Sequence, residues 1–307
     1  MRPQRAITAL LCATVAGTLP APRRAAAEAP VGARQAVDAA SVAIFAFRDA
    51  RGRPMAWPVT PYRDGDTVVV TSTLAFMRKT IDVRRDGRVA LLAHGVHFTG
   101  RARVHADVSG DEFVRRFLDQ ELAKYPPTRD IVAVPFHRTL FSWFFGRVFM
   151  ELTPLTVRNV AGDDHTTLVT LDADGVPVIT PIAAPQHTDS TFTPQILDPT
   201  AAPPRDGPAL VLQHLEPSMS DLRQLLLRGD LHAGSFSVRA RHGSLAPPAP
   251  TSWWGELRKH LDYHRRGREA RAIVKDWDTD GTSSNVYDSG RDAAAEKRGS
   301  QRGTSAQ

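Results

Sequence analysis

The spacing of apolar positions changes several times along the first half of the chain. Residues 41–48 form a short, nearly continuous apolar run, the pattern of a strand buried on both faces. Gly52 and Pro54 interrupt it and predict a hairpin turn, with residues 55–59 as the return strand. Residues 63–66 (Arg-Asp-Gly-Asp) predict a second turn, and the β-branched residues 67–71 read as a strand. Leu74, Met77 and Ile81 recur at helical spacing until Asp86-Gly87 ends the helix, and residues 88–93 form a further strand. Residues 96–106 alternate. Val96, Phe98, Gly100, Ala102 and Val104 fall on one side and His97, Thr99, Arg101, Arg103 and His105 on the other, as in a half-exposed antiparallel strand. Ser109 and Glu112 carry a capping-box spacing ahead of a helix with Phe113, Val114, Phe117, Leu118 and Leu122 on its apolar face. Pro126-Pro127 stops that helix, and residues 147–157 alternate again. The expected class is mostly β with flanking helices (α+β).

The second half echoes the first. Residues 49–59 and 172–182 align without a gap, with five identical positions: Asp, Ala, Gly, Pro and Pro. The segment FTGRAR (residues 98–103) resembles FSVRAR (residues 236–241), and residues 220–228 are a helix candidate where the basic helix would fall. Similar elements in a fixed order suggest duplication; the alternative is two hairpins that share turn chemistry. The expected organisation is a leader over 1–34, a first unit over 35–160, a degenerate second unit over 161–250, a charged C-terminal helix over 251–278 and a disordered tail over 279–307. Residues 183–208 read as an irregular loop.

Composition narrows the function classes. The 307 residues are 42% hydrophobic, enough for a sizeable core, and carry a net charge of +6. The lysines and arginines are scattered without interleaved aromatics, so a nucleic-acid surface is not expected. The one cysteine, Cys12, lies in the leader, which excludes an internal disulfide and a cysteine nucleophile in the body of the chain. The leader has an apolar stretch and Ala25-Ala26-Ala27 as a candidate cleavage site, but Arg23 and Arg24 precede it. That leaves a cytoplasmic location, slightly favoured, beside export. No apolar run reaches the roughly 18 residues of a membrane span.

Candidate chemistry concentrates in one corner. A strand ending in Thr71-Ser72-Thr73 leads into a helix beginning near Arg78-Lys79. Hydroxyls, a helix N-terminus and two cations together suit a phosphate. The ordered series resembles the flavin-binding split β-barrel of the pyridoxamine 5′-phosphate oxidase-like superfamily over roughly residues 43–157. It runs as an apolar strand, D-x-x-G-x-P-x-x-x-P-V, a Thr/Ser strand end, an R-K helix, D-x-R-V-A-L and G-x-A. The resemblance implies a split antiparallel barrel, FMN or a deazaflavin coenzyme in a groove between two subunits, and a small planar redox substrate. With the internal echo, it implies either a homodimer or a degenerate tandem pseudo-dimer within one chain. It places Trp57, Pro58 and Val59 along the flavin ring, Thr71, Ser72 and Thr73 at ribityl or phosphate oxygens, and Arg78 and Lys79 at the phosphate. Arg239 and Arg241 are weaker candidates across the pseudo-interface. The family's C-terminal substrate contacts are not matched by Trp253-Trp254-Gly255, which argues against pyridoxamine phosphate as substrate.

Heme is a lesser alternative, raised by His94, His97 and His105 and by His137 ahead of the aromatic run 141–145. His97 and His105 are too far apart along a strand to share a metal, and no metal ligand is named. The aromatic run is expected to close the bottom of the barrel. No Gly-x-Ser-x-Gly elbow, Rossmann fingerprint or P-loop is present. The readings are therefore a flavin- or deazaflavin-dependent oxidoreductase with no named catalytic side chain, a non-catalytic flavin- or heme-binding protein on the same scaffold, and an exported protein that has lost the cofactor.

Overall fold

The computed structural model describes residues 32–279 except 187, 189, 219, 220, 250 and 251. The leader and tail therefore lie outside the described residues, apart from residues 32–34 and 279. Helix α1 (Ala33–Ala39) buries Ala36 and Val37, so the folded chain begins before Gln35. Strands β1 (Ala43–Arg48), β2 (Pro54–Val59), β3 (Pro61–Asp64) and β4 (Thr67–Thr73) follow. A 3₁₀ turn (Leu74–Phe76) and helix α2 (Arg78–Arg85) lead to β5 (Arg88–Ala93) and β6 (Val96–Asp107). Five short helices, α3 (Asp111–Arg116), α4 (Leu118–Lys124), α5 (Thr128–Val132), α6 (His137–Leu140) and α7 (Ser142–Phe145), precede β7 (Arg147–Asn159). The rest comprises β8 (Thr166–Leu171), β9 (Pro177–Pro181), β10 (Thr191–Phe192), β11 (Gly207–Ser218), β12 (Asp221–His232), β13 (Ser235–Ser244) and a long helix, α8 (Trp253–Thr279). No described helix is long and apolar enough to cross a membrane.

The strands form two antiparallel sheets ordered β2-β1-β5-β6-β7-β4-β3 and β10-β13-β12-β11-β8-β9. The first sheet ends at β2 and β3, and no pairing among the described residues joins those ends into a closed barrel. Read from its hairpin end, the second order (β9-β8-β11-β12-β13-β10) follows the first strand for strand, with no described counterpart of β3. The two leading hairpins turn by the same chemistry. The Asp49 carboxylate accepts the N–H groups of Arg51 and Arg53, and the Asp172 carboxylate those of Asp174 and Val176. Gly52 and Gly175 sit at φ +74° and +73°, a region open to glycine. Each sheet also has a glycine where a long strand pair shifts register. A Cβ on Gly100 would stand 2.2 Å from the Thr153 carbonyl oxygen, and one on Gly229 1.9 Å from that of Ser237.

Alternation along β1 builds two cores from one strand. Phe45 and Phe47 face the interior of the first sheet with Leu91, Phe98 and Met150, and Val83 of α2 closes that interior. Ile44 and Ala46 face the second sheet, where Val169, Ile179, Leu210 and Leu226 meet them. His97 joins this interface: its Nε2 accepts the Ile179 N–H at 3.2 Å, and the side chain is buried, not on a half-exposed face.

Other expectations change. Residues 221–228 are strand, because β12 pairs with both β11 and β13. FTGRAR lies in β6 and FSVRAR in β13, which do not correspond in the two strand orders. The helix expected over 113–122 breaks at Phe117 into α3 and α4. Its cap is Asp107, whose carboxylate accepts the N–H groups of Gly110 and Phe113, while Glu112 pairs with His105 and Arg116 instead of closing a capping box. The aromatic run packs with Val69 and Phe149, on the face of β4 and β7 opposite the interior.

Candidate functional site

A cleft of about 650 Å³ opens where β2, the 3₁₀ turn and the start of α2 meet β12 and α8. Local sequence shapes its floor. β4 ends in extended backbone at Thr73, and the Leu74 N–H bonds the Gly146 carbonyl at 3.0 Å. The Ser72 hydroxyl donates to the Phe76 carbonyl, and the Thr80 hydroxyl to that of Met77, which ties both ends of the turn. Leu74 and Met77 are buried against Ala270 and Val274 of α8. With those anchors fixed, Arg78 and Lys79 emerge along the cleft beside Trp57 and Pro58. Thr80 and Val83 form the buried side of α2, whereas Ile81 is 39% exposed and lines the cleft.

The electrostatics favour an anion. The Lys79 ammonium lies 5.9 Å from the Trp57 ring centroid, and burial pushes its pKa down to about 8. Neither Lys79 nor Arg78 has an ion-pair partner among the described residues. The other cleft cations are already engaged: Arg265 with Asp262 and Glu269, and Arg266 with Asp262. The Trp57 Nε1–H is buried without a hydrogen-bond acceptor, and the Thr73 hydroxyl is likewise unpartnered.

Of the residues expected at a cofactor, Trp57, Pro58, Arg78 and Lys79 line this cleft. Val59 packs in the interior of the first sheet, and the Ser72 hydroxyl is spent on the Phe76 carbonyl. Thr71 and Thr73 occupy the face of β4 that carries Val69, which packs with the aromatic cluster, and neither lines the cleft. Arg239 pairs with Asp230, and Arg241 donates to Thr188 at 3.4 Å, so the opposite wall is built otherwise. That wall is Leu222 and Gln224 of β12 with Arg265, Arg266 and Glu269 of α8. A helix spacing placed the α8 residues on one side, but nothing local in the sequence tied that side to α2.

A second cleft, of about 660 Å³, is lined by Asp38, Arg63, Gln120 and Lys124. It offers less to an anion, because Arg63 is paired with Asp38 and the Lys124 ammonium donates to the carbonyls of Val37 and Pro61. The histidines weighed for heme do not converge. His94 takes a turn at φ +47°, His97 is buried between the sheets, and His105 stacks on Phe149 beside Glu112.

No family model matches the chain, and no curated protein is similar to it. Several solved structures are similar over part of it. One is a Clostridium acetobutylicum protein related to general stress protein 26, of the pyridoxinephosphate oxidase family (11% identity, 40% of this chain, 82% of that one, TM-score 0.30). Another is an F420 reductase (14% identity, 42% and 98%, TM-score 0.30). A third is an FAD-binding protein of Mesorhizobium loti (18% identity, 40% and 88%, TM-score 0.28).

Proposed function

We propose that the chain is a split-barrel flavoprotein that holds FMN, or alternatively the deazaflavin coenzyme, in the cleft between α2 and β12 and uses it as an oxidoreductase on a small planar substrate. The observation that carries this reading is the unpaired, part-buried Lys79 ammonium beside an indole whose N–H also lacks a partner. A buried cation without a counter-ion is costly, and a phosphate would relieve that cost with charge-assisted hydrogen bonds. The cleft also has the size of a ligand pocket, about 300–1,000 Å³.

When bound, the cofactor would supply hydride transfer at its ring. The protein residues would bind and orient it. Arg78 and Lys79 would neutralise the phosphate, and the Trp57 ring would offer a flat apolar face. Because β2 is a sheet edge, its outer backbone groups are not committed to another strand and are available to the ring's polar edge. Leu222, Ile273 and Ala270 would exclude water from the opposite side.

The matching strand orders, the two Asp-Gly hairpins and the two bulge glycines support duplication, with the second sheet standing where a second subunit would stand. The second unit has no helix between β10 and β11 to deliver a second phosphate corner. One cofactor per chain follows. A non-catalytic carrier on the same scaffold is the second reading. It is favoured by the one carboxylate lining the cleft, Glu269, being engaged by Arg265, which leaves no free carboxylate there as a general acid or base.

Titration of the full chain with FMN and then the deazaflavin coenzyme tests the site. Saturable binding is expected, weakened about a hundredfold in Arg78→Ala/Lys79→Ala, or roughly 2.7 kcal/mol. No binding of either cofactor, or equal binding by the double variant, would overturn the assignment. Reduction of the bound cofactor by NADPH or by reduced deazaflavin separates the enzyme from the carrier.

A further inference from the structure

A second polar cluster lies on the sheet that carries no phosphate corner. β8 and β11 pair through Gln213 and Thr166, and the His214 N–H bonds the His165 carbonyl at 2.9 Å. That register brings the rings of His165 and His214 to a centroid separation of 5.3 Å. One ligand atom from each of Asp164, His165 and His214 falls within 4.8 Å of the others. The His214 side chain is only 1% exposed, and its Nδ1 stands 3.3 Å from a carboxylate oxygen of Glu216. His165 Nδ1 is also buried, and neither Nδ1 makes a well-formed hydrogen bond.

The tautomer of His214 is set by its other nitrogen. Nε2 lies 2.8 Å from the Asp164 carbonyl oxygen, which can only accept, so Nε2 carries the proton. A neutral His214 therefore carries its lone pair on Nδ1, the nitrogen 3.3 Å from Glu216. Imidazoles that bind metals are commonly oriented this way, with the distal N–H on a backbone carbonyl. The distances also fit. Two ligands each about 2.1 Å from a tetrahedral ion are roughly 3.4 Å apart, close to the 3.3 Å between His214 Nδ1 and Glu216.

We propose that Asp164, His165 and His214, with Glu216 beside His214 Nδ1, form a binding site for a borderline divalent transition metal of the Zn²⁺ class, separate from the cofactor cleft. Two imidazoles with carboxylates and no thiolate suit Zn²⁺, Co²⁺ or Ni²⁺ better than Mg²⁺ or Ca²⁺. Among the described residues, the second such cluster, His105, Glu112 and Glu151, is not comparable, because Arg116 bonds both glutamates. The site departs from the expectation of no metal, which weighed only the histidines of the first half. His214 pairs across β11–β12 with Gln224, a cleft residue, so a metal here would brace the strand that forms the cleft's far wall.

The test uses the full, untagged chain freed of metal by chelator dialysis, without flavin. Titration with Co²⁺ should give visible d–d bands saturating at one equivalent and displaced by Zn²⁺. His214→Ala should abolish them. Because losing a buried side chain also bears on folding, Glu216→Gln and His165→Ala carry the test at less buried positions. Each should weaken Co²⁺ at least about tenfold, no less than the loss typical of outer-sphere partners. Absence of bands, or unchanged affinity in both of the latter variants, would overturn the site. Neither outcome bears on FMN binding, which is read separately.

Discussion

The two leading hairpins of this chain turn by the same chemistry, and the first borders a cleft suited to an anion. β1–β2 and β8–β9 share their aspartate-capped turn and their place in the strand order. Two differences bear on the cleft. Trp57 in the first occupies the position of Thr180 in the second, where Thr180 is buried. The connection after β4 is a 3₁₀ turn and helix bearing Arg78 and Lys79. The connection after β10 has no helix and is rich in proline and aspartate. A shared scaffold thus sets where a site could be, and the connection decides whether it exists.

The comparison can be broken hardest at the bulges. Gly229→Ala and Gly100→Ala each drive a Cβ into a backbone carbonyl and should cost roughly 3 kcal/mol, at the high end of overpacking losses. Urea unfolding measures both, and equal costs would sharpen the equivalence of the sheets. Next comes Trp57→Thr, which makes the first hairpin resemble the second. It should weaken FMN about tenfold, roughly 1.4 kcal/mol, and an unchanged dissociation constant would remove Trp57 from the site.

Acid should act on the join between the sheets. Burial, and then Arg158, push the His97 pKa down to about 3, against 6.5 for the ordinary side chain. Between those values the unfolded chain binds a proton that the folded chain does not. Stability therefore falls as pH drops through that window, by roughly 1.4 kcal/mol per pH unit at most. His97→Gln should flatten that limb in thermal melts taken between pH 6 and 4.

Alkali should act on the cleft that Lys79 lines. Lys79 has its pKa lowered by burial from 10.5 to about 8, so between these values the unfolded chain again holds the extra proton. Stability rises with pH there, and Lys79→Met should remove about 1 kcal/mol of that rise, the ammonium being partly solvated at the cleft. Lys124, lowered in the same way to about 8, keeps a residual slope in the variant. FMN binding should weaken over the same range as Lys79 loses its charge.

What was legible in the sequence follows the range of the forces involved. The hairpin turns and bulge positions are written locally, in Asp-Gly chemistry and small residues, and the long C-terminal helix in its charge pattern. β12 reads as a helix in the sequence because Leu222, Leu225 and Leu226 fall at helical spacing, while its pairing with β11 and β13 is non-local. Four-residue β3 left no signal. Arg78 and Lys79, which line the cleft, can be picked from their order in the chain. Thr71 to Thr73 could not be ruled out, because strand alternation alone does not say which face meets the cleft. Gln224, Arg265 and Glu269 arrive from segments far along the sequence, and the Asp164–His214 cluster depends on a strand register.

Because the walls of the cleft come from one polypeptide, its assembly escapes mass action. A groove shared by two separate subunits would be lost on dilution below their dissociation constant. Here the second wall is tethered, and its effective concentration does not change with that of the protein. Ligand affinity measured at nanomolar and at micromolar chain should therefore be the same.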